Sequence, residues 1–123
     1  MHKTRPKNLN LFTIRFPLPA IVSILHRISG VLLFIMIPFM LWGLHYSLTL
    51  SGFDELHAWF RDGYVKFALW LFFLPFCYHL VAGIRHLLSD IHIGDSLKGG
   101  RAGAMLVMVI SLLLVILAGV WLW

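Results

Sequence analysis

The sequence predicts an all-α integral membrane protein with three transmembrane helices, arranged up-down-up. Three observations predict it. The 123 residues are 60% hydrophobic and only 12% charged, whereas soluble domains carry about 25% charged residues. A water-soluble fold of this composition would lack the polar surface to cover its core. Three apolar stretches each reach the ~20 residues that a helix needs to cross a bilayer. The basic residues behind the net charge of +5 gather at the ends of these stretches, not on a polar domain. That distribution is a topology signal, so membrane lipid is the expected surroundings and nucleic acid is not an expected partner.

Residues 1–19 form a leader, and residues 20–123 form the membrane domain. The leader carries Lys3, Arg5, Lys7 and Arg15. It has neither a clean apolar core nor an A-x-A-like site, so it is expected to stay on the protein. Helix one, about 20–50, contains "GVLLFIMIPFMLWGL". Helix two, about 64–88, contains "FALWLFFLPFCYHLVAGI". Helix three, 103–123, is "GAMLVMVISLLLVILAGVWLW", without a single charge. Each must be helical, because lipid offers no partner to open backbone groups. Pro38 and Pro75 each remove a backbone donor inside a helix, which membrane helices tolerate. Cys77 is the single cysteine, so no intrachain disulfide forms. In the first connection, "GFDELHAWFRDG", Phe53, Leu56 and Phe60 follow helical spacing. That fits a short helix lying in the interface and equally a loop with aromatic anchors.

The second connection and its flank carry Arg85, Lys98 and Arg101. The first has Arg61 and Lys66 against Asp54, Glu55 and Asp62. The positive-inside rule then places the leader and the second connection in the cytoplasm. The first connection and the C-terminus face the other side, with Trp121 and Trp123 as aromatic anchors.

Polar residues inside such helices are the candidates for chemistry. His79 lies nine residues before the end of helix two, ~13 Å along the axis. Gly83 and His86 follow on the same face. An imidazole with a glycine one turn away suits a flat iron macrocycle. It also suits a buried neutral histidine bonded to a neighbouring helix, with Gly83 for packing. His26 lies near the cytoplasmic end of helix one, and His45 lies nineteen residues later, ~28 Å away. Neither matches the depth of His79 well, so if a haem is held by two histidines, the second is expected from another chain. In "SILHRISG", Ser23 and Arg27 share a helical face. They offer a hydroxyl and a fixed cation near the interface, the donors a quinone headgroup needs. Arg27 can equally snorkel to headgroups or pair with a haem carboxylate, and Ser23 can bond its own helix.

"RPKNLNLFTIRFPLPAIVSILHRISG" and "YHLVAGIRHLLSD" together resemble the two signatures of the cytochrome b556 membrane-anchor subunits of succinate dehydrogenase, respiratory complex II, in their bacterial form. The resemblance covers essentially the whole chain. It implies half of a heterodimeric haem-binding helix bundle, with haem b shared with a second small anchor subunit. His79 stands at the axial-ligand position for the haem iron. His26, Arg27 and His86 stand near the haem propionates. Ser23 and Arg27 match the polar residues of a ubiquinone-reducing site, and Phe16 and Ile24 match apolar ones. An iron-sulfur subunit and a flavoprotein subunit complete the implied complex, and succinate oxidation belongs to them. The location implied is the bacterial inner membrane, with a periplasmic C-terminus. Two other readings compete: the anchor of a quinol:fumarate reductase, and a haem-free structural or transport protein that uses His79 and Arg27 as bundle contacts.

Reporter fusions at the two termini should give opposite results, cytoplasmic at the N-terminus and external at the C-terminus. Matching results at both ends would remove the three-crossing topology.

Overall fold

The computed structural model describes residues 14–94 and 96–123. Most of the expected leader, residues 1–13, lies outside the described residues. Four helices follow in order: α1 (Leu18–Ser47), α2 (Gly52–Trp59), α3 (Gly63–Asp90) and α4 (Leu97–Leu122). Of these, α1, α3 and α4 are long and apolar enough to cross a membrane. At 1.5 Å per residue they run ~39–45 Å, longer than the ~30 Å hydrocarbon core. Their ends therefore stand in the headgroup region or the helices tilt.

Local chemistry sets the helix limits. Pro17 stands in extended conformation before α1, and Pro19 sits in its first turn, where a missing N–H costs nothing. Turn bonds from Leu48 N to His45 O and from Thr49 N to Tyr46 O then close α1, so it stops at Ser47 rather than near residue 50. The Asp62 carboxylate accepts from Tyr64 N and Val65 N and starts α3. Ser96 Oγ accepts from Gly99 N at 2.9 Å and starts α4. α4 therefore begins at Leu97 instead of residue 103, because capping recruits the polar turn ahead of the apolar run. Between α3 and α4, His92 and Gly94 both take positive φ, at 63° and 83°.

The first connection folds as the helix α2, one of the two forms its spacing allowed. Leu56 is its buried side chain, whereas Phe53 and Phe60 are exposed. The Tyr46 hydroxyl donates to the Glu55 carboxylate. That bond first, and Ser51 second, hold the Glu55 carboxyl below its ordinary range. Trp42, Tyr46 and Trp59 stack in a ladder with centroids 5.7 Å apart at each step. Exposed Trp121 and Trp123 close α4. Aromatic rings in these places are suited to the membrane–water boundary.

α3 is the central helix and packs on both α1 and α4. The core where they meet is small: Val22, Ala82, Ala104 and Val107, flanked by Leu18, Tyr78 and Val81. Small side chains let the backbones approach, which is how helices associate in lipid. Two polar tips of α3 cross to its neighbours. Tyr78 Oη donates to Val22 O of α1, and Trp70 Nε1 donates to Val115 O of α4, each at 2.9 Å. A methyl group on Gly119 would lie 3.0 Å from Trp70 Nε1, so the missing side chain admits the indole. Most other large apolar side chains lie exposed on the bundle surface.

Ala82 is fully buried against Val22, Ala104 and Val107. Ala82→Leu should overpack this crossing by ~1–3 kcal/mol and lower the thermal denaturation temperature of the purified membrane protein. An unchanged temperature would show that the crossing has room to spare.

Candidate functional site

His26, His79 and His86 meet at one place. The His26 and His79 rings stack with centroids 4.1 Å apart and planes 14° from parallel. His86 tilts onto His26 at 5.0 Å. This corrects the expectation that His26 lies at a different depth from His79. His26 stands eight residues from the start of α1 and His79 eleven from the end of α3, the same three-residue offset that the apolar runs give, so it is the crossing of the two helices that brings the rings together. The apolar run understated α3, because the helix continues through Ser89 and Asp90. His45 stands near the opposite end of α1, exposed.

Glycine makes the meeting possible. A methyl on Gly30 of α1 would lie 3.0 Å from His79 Cε1, and one on Gly83 of α3 would lie 3.4 Å from His26 Nε2. Gly83 was expected to leave a gap beside His79 for a macrocycle. In the structure the His26 ring packs against it, because α1 and α3 cross there and each glycine receives the other helix's imidazole.

The His79 ring is anchored on one side and open on the other. Its Nδ1 lies 3.0 Å from Ser29 Oγ and 3.1 Å from His26 O. A carbonyl oxygen only accepts, so this bond makes Nδ1 the protonated nitrogen and leaves the Nε2 lone pair unused. Nε2 makes no hydrogen bond among the described residues and is not enclosed. That is the state an axial imidazole needs. Because the two rings stack face to face, His26 and His79 do not point their nitrogens at a common iron. No group of three or more His, Cys, Asp or Glu among the described residues is set to hold a bare ion. One imidazole offered to a macrocycle that brings its own ring nitrogens fits this donor set. His26 Nε2 is buried with no hydrogen-bond partner, so it too is a polar atom awaiting a contact. Ser111 Oγ, on the buried face of α4, is likewise without one.

The other expected residues are placed differently. Ser23 is half-buried and Arg27 exposed, one turn apart, and neither has a partner among the described residues. Phe16 and Ile24 are 41% and 42% exposed. These four residues do not line the apolar groove of about 410 Å3 between α1 and α3. Leu25, Ile28, Leu32, Pro75 and Tyr78 line that groove, with Ser29 as its polar member. Pro75 does not interrupt α3, but it leaves the Leu71 carbonyl of the same groove without its helical donor. Arg85 turns toward α4, with Nη2 3.4 Å from Gly100 O.

The sequence reading missed Ser29, Gly30 and Tyr78 as contributors. Ser29 and Gly30 were visible inside "SILHRISG", directly after the residues singled out. What marks them is a partner fifty residues away in sequence, which no local spacing reveals.

Comparisons with known proteins bear on the whole chain. A family model described as the succinate dehydrogenase/fumarate reductase transmembrane subunit matches residues 1–118. The succinate dehydrogenase cytochrome b556 subunit of Coxiella burnetii is 42% identical, covering 100% of both chains. The subunit of the same name in Rickettsia prowazekii is 34% identical over 95% of this chain and 92% of its own. That of Paracoccus denitrificans is 31% identical over 92% and 88%.

Proposed function

The chain belongs to the succinate dehydrogenase/fumarate reductase transmembrane subunit family, as a cytochrome b556 membrane subunit of succinate dehydrogenase, and from that premise we propose two roles for its residues. His79 is an axial ligand of a haem b shared with a second small anchor subunit. Ser23 and Arg27 are the donors of a ubiquinone-reducing site. The observation that carries the first role is the His79 ring, tied through Nδ1 and open at Nε2. Haem supplies a one-electron carrier when bound. His26 stacks on the ligand ring and His86 packs against His26, and we assign both, with Arg27 next to His26 in the chain, to the haem propionates.

The quinone reading rests on the two donors. Ser23 and Arg27 lie about 6 Å apart along one face of α1, with no partner among the described residues. Phe16 and Ile24 beside them present apolar surface. A quinone takes up two electrons and two protons, and charge builds on its carbonyl oxygens during reduction. A hydroxyl and a guanidinium held ready near those oxygens stabilise that charge. This chain leaves the four residues open, so the slot is completed by neighbours, which we assign to the iron-sulfur subunit and the second anchor. Electrons arrive from succinate through the flavoprotein and iron-sulfur subunits. We place the N-terminal end of the bundle toward the cytoplasm of a bacterial cell, a reading that the distribution of basic residues supports. The family match sets aside the haem-free transporter reading.

Two measurements test these roles in the assembled complex. His79→Leu should perturb or abolish the low-spin b-type haem spectrum, and an unchanged spectrum would rule out His79 as ligand. Ser23→Ala should slow succinate-to-ubiquinone electron transfer roughly a hundred- to thousand-fold, the usual effect of losing one donor from a preorganised site. Succinate oxidation by an artificial acceptor upstream of the quinone should persist. Intact quinone reduction and affinity in Ser23→Ala would leave the serine a packing residue.

A further inference from the structure

We propose that Ser29 is the positioning residue for His79: the His26 carbonyl fixes the protonated nitrogen of the imidazole, and the Ser29 hydroxyl, as a second acceptor for that N–H, sets the ring's orientation and the electron density at the iron. The inference rests on His79 being the haem ligand. It begins with the His26 carbonyl. In α1 that oxygen already accepts the helical N–H of Gly30, four residues on. Ser29 Oγ donates to it as well, at 2.7 Å. A carbonyl has two lone pairs, so a third donor, His79 Nδ1–H at 3.1 Å, meets a crowded acceptor.

Ser29 resolves the crowding. Its hydrogen is committed to the carbonyl, which turns an oxygen lone pair toward His79 Nδ1 at 3.0 Å. The serine relays the imidazole proton's bond onto α1. Ser29 is 5% exposed, so its hydroxyl has little competing solvent. Gly30, next in the chain, clears the space for His79 Cε1. One residue holds the ring by its nitrogen, and the other admits its edge.

The consequence is electronic as well as geometric. An imidazole whose N–H gives a strong hydrogen bond is a richer donor to a metal through its other nitrogen. Such a ligand favours the oxidised iron, and hydrogen bonding to axial ligands is one lever on haem potential. Loss of the Ser29 hydroxyl leaves Nδ1–H one acceptor, the His26 carbonyl at 3.1 Å, in place of two, and should therefore make the haem easier to reduce.

The test measures the haem midpoint potential and low-spin electron paramagnetic resonance spectrum in the purified complex. Ser29→Ala should raise the potential, shifting the reduction equilibrium roughly tenfold, about 59 mV for one electron. The pair Ser29→Thr and Ser29→Val controls for shape, because the two side chains differ by the hydroxyl alone. Threonine should stay near the wild-type potential and spectrum, and valine should move with alanine. Equal potentials for the threonine and valine variants, in complexes that retain haem, would overturn the proposal. His79→Leu separates the two levels of the argument. If that variant loses the ligand signature while the serine variants change nothing, the ligand assignment stands and the serine role falls. If His79→Leu leaves the spectrum unchanged, both fall together.

Discussion

A helix in lipid has no water to satisfy a polar side chain, and its backbone donors are already used. The acceptors that remain are the spare lone pairs of neighbouring helix carbonyls. The arrangement of this bundle depends on that constraint. Tyr78 donates to Val22 O, and His79 reaches His26 O. Those two carbonyls lie one turn apart on the same ridge of α1. Two consecutive side chains of α3 are therefore read by one strip of α1 backbone. On the far side, Trp70 does the same to Val115 O of α4. These bonds settle which faces meet and at what depth, a choice that apolar packing leaves loose. Lipid tails are as apolar as leucine, so burial gives little reason for one rotation of a helix over another.

The same bonds prepare the site. Carbonyl oxygens can be reached only if the backbones come close, and closeness requires small residues at the crossing. Ala82 and Ala104 are fully buried there, and Gly30 and Gly83 each admit an imidazole from the opposite helix. The core is correspondingly thin, and most large apolar side chains remain on the outside. The chain's outer surface is left to lipid and to the other succinate dehydrogenase subunits, and under the proposed roles the open Nε2 of His79 and the donors Ser23 and Arg27, without partners among the described residues, take groups from outside the chain.

Depth was the quantity that sequence reading handled least well. Counting from the edges of apolar runs placed His26 and His79 at different levels. The helices do not end where the apolar runs end. Ser96 caps α4 ahead of its apolar stretch, and α3 carries Ser89 and Asp90 within its last turn. An error of two or three residues at a helix end amounts to most of a turn, ~3–5 Å. For His26 and His79 the two errors are equal and cancel, leaving the same three-residue offset, and the crossing of α1 and α3 is what lets the rings stack at 4.1 Å.

The sequence by itself determined the number of membrane helices, because ~20 apolar residues in a row have no other way to satisfy their backbone in lipid. It also singled out His79, Ser23 and Arg27, since polar groups inside apolar segments stand out without any coordinates. Its motifs were enough to point to the succinate dehydrogenase anchors. Only the tertiary structure decided what the polar residues do to one another. The stacking of His26 on His79, the capture of Nδ1 by Ser29, and the filling of the Gly83 notch all join residues fifty or more positions apart. Helical periodicity says which residues share a face. It does not say which face a neighbouring helix will choose, because in a bilayer that choice is made by a few hydrogen bonds between helices.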